Sequence, residues 1–281
     1  MTSIFLWISL AGSWNISSGY TGYIDFGPVG YFGIGAYSTA LCMILFHIPF
    51  GFSVIVGGVI ASLISFFIGV PTLRLKGAYF AIATFAFSES MRQIVLSFDR
   101  TFNIEFFSGS HGLTLPMSNN FEMFYYIMLA LATLVTAFNI FIEKTRLGLI
   151  LKAIGESEKD AESIGINPSF FRLLVYSVTA FFISIAGGVY AYWVTYITPD
   201  DVFNLHKSVQ MIIMTLIGGM GTLAGPIVGA IFLSTVSEFL GVEFIENYLI
   251  ILGFVVIATI LIEPSGFAGL KKWKKYFKSK I

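Results

Sequence analysis

Between Phe26 and Leu73 the chain carries no Asp, Glu, Lys or Arg. One helical crossing of a bilayer takes about 20 apolar residues, so this run is long enough for two. HIPFG at 47–51 divides it with Pro49 and Gly51, which predicts spans near 28–46 and 52–70. Leu173–Thr198 and Ser208–Ser237 are equally free of charge. A soluble domain needs charge to cover its surface, and only 11% of this chain is charged, against about 25% in globular domains. Lipid is therefore the solvent that the sequence is built for.

Further spans are expected near 78–98, over Met123–Ile142 and over Asn247–Ile262. The span at 78–98 carries Glu89 and Arg92, three apart and so on one helix face, which predicts that they pair. The first 24 residues hold no charged side chain. Lacking a basic n-region, they read as a short first membrane segment rather than a cleavable signal. GGMGTLAGP, 218–226, interrupts the run at 208–237. The expected fold class is an all-α polytopic membrane protein with about eight membrane segments, including a broken or re-entrant helical hairpin near 208–240.

Basic residues in short loops mark the cytoplasmic side. Thirteen of the sixteen Lys and Arg residues fall in PTLRLKG (71–77), in a polar insert at about 143–172, and in the tail KKWKKYFKSK. All three regions are expected inside. The chain then crosses an even number of times between insert and tail, which requires 208–240 to enter and leave on the outside. A loop at 238–246 (Glu238, Glu243, Glu246) fits that side. Irregular backbone at membrane depth is tolerated where it is buried in protein or lines a wet cavity. Two readings of 218–226 follow: a stretch lining a transport route, or close helix packing through small residues.

Several function classes find no support. Net charge is zero, so there is no global attraction to nucleic acid. There is no G-x-x-x-x-G-K-[ST] for ATP. GGMGTLA contains G-x-G-x-x-A (Gly219, Gly221, Ala224), but it follows no predicted strand, so a dinucleotide site is rejected. His47, His111 and His206 are scattered, and Cys42 is the lone cysteine. No metal site, cofactor or catalytic constellation is expected, and the chain is read as a non-enzyme. Asp25 and Glu89 are the only candidates for a proton-coupling carboxylate in or beside a span. The chain thus shows no energy source of its own.

The insert AIGESEKDAESIGIN, Ala153–Asn167, reads as a short cytoplasmic helix. Ser157 and Asp160 form a variant capping box. Glu158 and Asp160 lie where the helix N-terminus favours negative charge. Ala161 and Ile164 share one face, Gly165 suits the C′ position, and Pro168 blocks continuation. Such a helix is either an ordinary solvated loop helix or a docking element for a cytoplasmic partner.

Residues 145–200, TRLGLILKAIGESEKDAESIGINPSFFRLLVYSVTAFFISIAGGVYAYWVTYITPD, resemble permease subunits of ABC importers for branched-chain amino acids. Four more stretches resemble that family in the same order: GYTGYIDFG…FGIGAY (19–37), LRLKGAYFAIATFAFSESMR (73–92), SGSHGLTLP (108–116) and IGGMGTLAGPIVGA (217–230). Gly27-Pro28 stands where the family often has Gly-His. Less apolar sequence precedes the first motif than is usual, which raises the expectation that one N-terminal span is missing or supplied by a partner.

The resemblance implies a transmembrane permease domain over 1–270, with a coupling insert at about 143–172 and a basic cytoplasmic tail at 271–281. It implies a multi-pass protein of the cytoplasmic membrane. Its partners would be a homologous permease subunit, two cytoplasmic ATPase subunits and an extracytoplasmic substrate-binding protein; the tail would anchor to membrane lipid. Carried over, Ala153, Ile154, Glu156, Ala161, Gly165 and Ile166 would couple to the ATPase. Asn15, Ser17, Ser18, Tyr20 and Thr21, polar residues at membrane depth, are candidates to line the pathway with Gly218, Gly219 and Gly221. Helix–helix hydrogen bonding is the other reading of the polar five. The substrate would be an amino acid, branched-chain first, with other amino acids, urea or short amides also suiting the family. An ATP-independent carrier or channel for small polar solutes is the alternative function.

Overall fold

The computed structural model describes residues 1–102, 111–117, 120–243 and 253. The expected span at 247–262, apart from Gly253, and the tail at 271–281 lie outside the described residues. The expected all-α membrane architecture is what the chain adopts. Helix α1 (Thr2–Trp14) runs into a π-helical turn, Asn15–Gly19. Then come α2 (Pro28–Leu45), α3 (Phe50–Thr72), α4 (Ala78–Phe102) and α5 (Phe121–Lys144). Two short helices follow, α6 (Arg146–Glu156) and α7 (Glu158–Ser163), before α8 (Pro168–Val194), α9 (Pro199–Val202), α10 (Leu205–Gly218) and α11 (Gly225–Glu243). A two-residue ribbon, β1 (Leu113–Thr114) with β2 (Tyr196–Ile197), is antiparallel and ties the segment before α5 to the end of α8.

Four described helices are long and apolar enough to cross a membrane: α2, α3, α5 and α8. Helix α4 is as long, but Glu89 and Arg92 lower its apolar character. The bundle is centred on α2, α3 and α8. Tyr31 meets Tyr176, Gly35 meets Ser184 and Gly188 meets Thr39, so α2 and α8 run parallel. Gly57 meets Gly35 while Gly69 meets Tyr176, so α3 runs against both. Membrane helices associate without a hydrophobic drive between them, and close backbone approach through small residues supplies the dispersion contacts. Gly187 shows the limit: a methyl group there would overlap the Phe32 carbonyl.

Helices α10 and α11 form the expected hairpin. Gly218 lies against Gly225 with no room for a side chain on either. The tip turns through Gly219 (φ 115°) and Gly221 (φ 70°), a backbone that favours glycine. Thr222 closes it, donating from Oγ1 to the Gly219 carbonyl at 2.7 Å and accepting from the Gly225 N–H at 3.1 Å.

Boundaries differ from expectation in identifiable ways. Helix α8 starts at Pro168 rather than Leu173, because Asn167 caps it, accepting from Phe170 N–H at 3.2 Å, and Pro168 has the φ that a first turn needs. The insert folds as two helices rather than one. Helix α11 continues past Glu238 to Glu243, where a loop was expected.

Candidate functional site

At one end of the bundle the short helix α7 is held by a single carboxylate. Ser157 caps α7, its side chain accepting from Asp160 N–H at 3.3 Å, as the capping pattern anticipates. That cap places Glu158 in the first turn, pointing back at the bundle. Glu158 accepts from Tyr23 Oη at 2.9 Å, from Lys76 Nζ at 2.7 Å, and from Arg172 Nη1. Three segments therefore converge on it: the stretch after the π-turn, the α3–α4 turn and the base of α8. Arg172 is 4% exposed, and its guanidinium also lies 3.8 Å from the centre of the Tyr23 ring. Burial works to raise the carboxyl pKa of Glu158, but the hydrogen bonds from Lys76 and Tyr23 and the charge of Arg172 outweigh it and hold the group below the usual carboxylate range.

The insert residues divide into two sets. Ile154 and Ala161 are buried against the bundle. Beside Ile154, a methyl group on Gly155 would meet the Tyr20 carbonyl at 2.9 Å, so α6 lies directly on the end of the π-turn. Glu156 and Gly165 are exposed, and Ala153 and Ile166 are half-buried. Leu149 and Ile164, at 70% and 72% exposure, are apolar side chains on the outer surface of α6 and at the end of α7. Sequence reasoning did not single out Leu149, nor the partners of Glu158. Tyr23 and Lys76 are far from it in sequence, and Arg172, 14 residues on, belongs to a different helix.

A second polar group lies inside the bundle. Asn15 is fully buried. Its Nδ2 donates to Asn139 Oδ1 at 3.2 Å and to the Thr222 carbonyl at 3.1 Å, and its Oδ1 accepts from Gly221 N–H at 2.9 Å. Asn139 in turn donates to the carbonyls of Gly12 and Val135. The hairpin tip is thus fastened to α1 and α5 through two amides. Gly19 allows the approach, since a methyl group there would overlap Asn15 and reach Gly221 N at 3.1 Å. The structure brings Asn15 together with Gly218, Gly219 and Gly221 in this way. It places Ser17, Ser18 and Thr21 elsewhere, around a small cavity shared with Tyr23, Asp25 and Arg172. Tyr20 is buried beneath α6, with Lys152 Nζ 5.8 Å from its ring centre.

Midway along α4, Glu89 and Arg92 pair as their spacing predicts. Arg92 Nε bonds both Glu89 oxygens, at 3.1 and 3.0 Å, and Nη1 reaches Asp200 Oδ1 at 2.6 Å. Lys207 pairs with Asp201 at 2.6 Å and lies 4.7 Å from the Tyr190 ring centre. Among the described residues no group of His, Cys, Asp and Glu is arranged to hold a metal ion.

Residues 1–260 match the family described as branched-chain amino acid transport system, permease component. The chain belongs to that family. The permease is 27% identical to the high-affinity branched-chain amino acid transport system permease protein LivM of Escherichia coli K12, over 94% of its own length and 68% of that protein. It is 25% identical to the Salmonella typhimurium LivM, over 99% and 71%. It is 23% identical to the probable branched-chain amino acid transport permease LivM of Methanocaldococcus jannaschii, over 95% and 92%. No solved structure matches significantly. Membership places the permease in a membrane as a multi-pass transport protein, in agreement with its four span-length apolar helices.

Proposed function

We propose that the chain is one of two homologous permease subunits in an ATP-driven importer of branched-chain amino acids. Two cytoplasmic ATPase subunits dock beneath it, and an extracytoplasmic binding protein delivers substrate from above. One observation carries the coupling role: Glu158 ties α7 at once to the segment entering α2, to the α3–α4 turn and to α8. A push on α7 therefore moves the cytoplasmic ends of several spans together. Leu149 and Ile164, with Ala153, Glu156, Gly165 and Ile166, form the face that meets the ATPase. Ile154 and Ala161 anchor that face to the bundle.

Closure of the ATPase pair on ATP displaces α6 and α7, and the spans follow as largely rigid bodies. That is alternating access with the energy supplied by partners. Substrate passes along a route between the two permease subunits. The hairpin tip at Gly218, Gly219 and Gly221, fastened by Asn15, and the cavity residues Ser17, Ser18 and Thr21 border it, with Tyr20 under α6 at its cytoplasmic end. Binding along the route stays weak, because tight binding would slow release.

Co-purification in detergent tests this reading. The wild type is expected to bring down an ATPase carrying a P-loop. The exposed double variant Glu156→Arg, Ile164→Asp is expected to lose it while eluting as the same folded species. Reconstituted with its partners, the wild type is expected to take up leucine only with ATP inside the ATPase-bearing compartment. Uptake without ATP, and no ATPase captured, would favour a carrier that works alone.

A further inference from the structure

The Glu89–Arg92 pair of α4 and its partner Asp200 are not enclosed by the described residues. Glu89 keeps 41% of its side-chain surface, Asp200 72% and Arg92 27%. The cytoplasmic end of α4 is fixed by Lys76, which pairs with Glu158 just before the helix begins at Ala78. Glu89 lies roughly 16 Å further along, at about 1.5 Å per residue, near the middle of a hydrocarbon layer about 30 Å thick. Asp200 reaches this depth because α9 packs into the bundle: the ring of Phe203 fills the space over Gly33 and stacks on Tyr37 at 6.0 Å.

Charge at that depth faces protein or a wet cavity, not lipid tails. The outer part of the surrounding surface is mixed, with Ile94 exposed among polar side chains. Ser90, Gln93 and Ser97 are exposed on α4, and Gln93 donates to Glu89 at 3.1 Å. Toward the cytoplasm the same helix face turns apolar, with Tyr79 and Ile82 largely exposed. Two carboxylates and one guanidinium leave a net negative charge. Arg92 engages Oδ1 of Asp200, while Oδ2 accepts no hydrogen bond among the described residues. An ammonium group, compact and with three donors, suits an open carboxylate oxygen beside a second carboxylate. A free anion is disfavoured there, whereas a zwitterion brings its own ammonium group.

We propose that this face of α4, with Asp200, is a wall of the translocation pathway and receives the α-ammonium group of the amino-acid substrate. The apolar side chain is then directed toward Phe85, exposed one turn nearer the cytoplasm. This rests on the importer reading, in which the pathway runs between two permease subunits.

The test places a single thiol on the wall, Gln93→Cys with Cys42→Ala, in the full complex reconstituted into vesicles. Two membrane-impermeant methanethiosulfonates of opposite charge are compared, with labelling of the cysteine-free parent complex subtracted. The cationic reagent is expected to react about tenfold faster than the anionic one, relative to a free thiol, as a local potential of order kT requires. Asp200→Asn is expected to abolish that preference and Asp200→Glu to keep it, and leucine is expected to slow the cationic reaction. Reaction without charge preference overturns the proposal. So does no reaction at all, which means that the face is packed against lipid or protein. Leucine uptake in the same vesicles separates the two levels. Uptake by wild type with neutral labelling sinks the ammonium site alone. No ATP-driven uptake by wild type sinks the importer reading and this site with it.

Discussion

The guanidinium of Arg172 lies 3.8 Å from the centre of the Tyr23 ring while it bonds Glu158, so a base of α8 and the chain entering α2 share one cation. Arg172 is buried, and its neutralising partner comes from a helix of only six residues. Removing the carboxylate leaves a buried charge uncompensated. Glu158→Ala is expected to destabilise the protein by about 3 kcal/mol. Tyr23→Phe, which removes one bond to a charged group, is expected to cost about 1.5 kcal/mol. Denaturation in detergent would measure both, and a double-mutant cycle should show coupling between them. Equal stability of Glu158→Ala and wild type would mean that α7 is not clamped.

The same carboxylate sets a pH dependence. Its folded pKa is depressed, since the partners outweigh burial. A depressed carboxylate contributes stability that is present above the unfolded value, about 4.3, and is lost as pH falls through the lower folded value. The stability gap between wild type and Glu158→Gln should therefore stay constant from pH 7 to about 5. It should shrink only below the usual carboxylate range. A gap that closes between pH 7 and 6 would contradict the assignment.

Asn15 holds the hairpin tip through Gly221 and Thr222. Asn15→Leu strands the Gly221 N–H and the Asn139 carbonyl inside the bundle, each at about 1–3 kcal/mol. Asn15→Asp keeps the acceptor for Gly221 but turns a carboxyl oxygen toward the Asn139 and Thr222 oxygens in a fully buried site, which costs at least as much. Both variants are expected to be less stable than wild type, and protease resistance of the 219–224 tip should fall in both.

Helix contacts separate two helical glycines. Gly187→Ala drives a methyl group into the Phe32 carbonyl and is expected to cost about 1–3 kcal/mol. Gly51→Ala meets nothing within 4 Å and should gain about 0.5–1 kcal/mol from helix propensity. Thermal unfolding of the two variants side by side would show opposite shifts.

Much of the bundle was legible in the sequence. Uncharged runs bounded by Pro49, Gly51 and Gly218–Pro226 give the spans and the hairpin, because lipid demands continuous apolar helix. The Ser157 cap and the Glu89–Arg92 pair are local, three residues apart, and so readable from spacing. The clamp on Glu158 was not legible. Its partners lie 135 and 14 residues away for Tyr23 and Arg172, and only the packing of α7 against α8 selects them. The Asn15–Asn139 bond, 124 residues apart, is hidden for the same reason. The division of the insert into outward Leu149 and Ile164 and inward Ile154 and Ala161 also waited on structure. Two short helices with a break at Ser157 do not keep one helical phase.

The docking of the hairpin tip has a consequence for biosynthesis. The Asn15 carbonyl finds Gly221 N–H only after 206 more residues have been made. At about 5–20 residues per second, that is a wait of about 10–40 s. Asn139 arrives earlier and can occupy one donor of Asn15 in the meantime. The N-terminal helix therefore enters the bilayer with a polar group in need of temporary company. Arrival of the hairpin tip is met by an amide that has waited since the first helix was made.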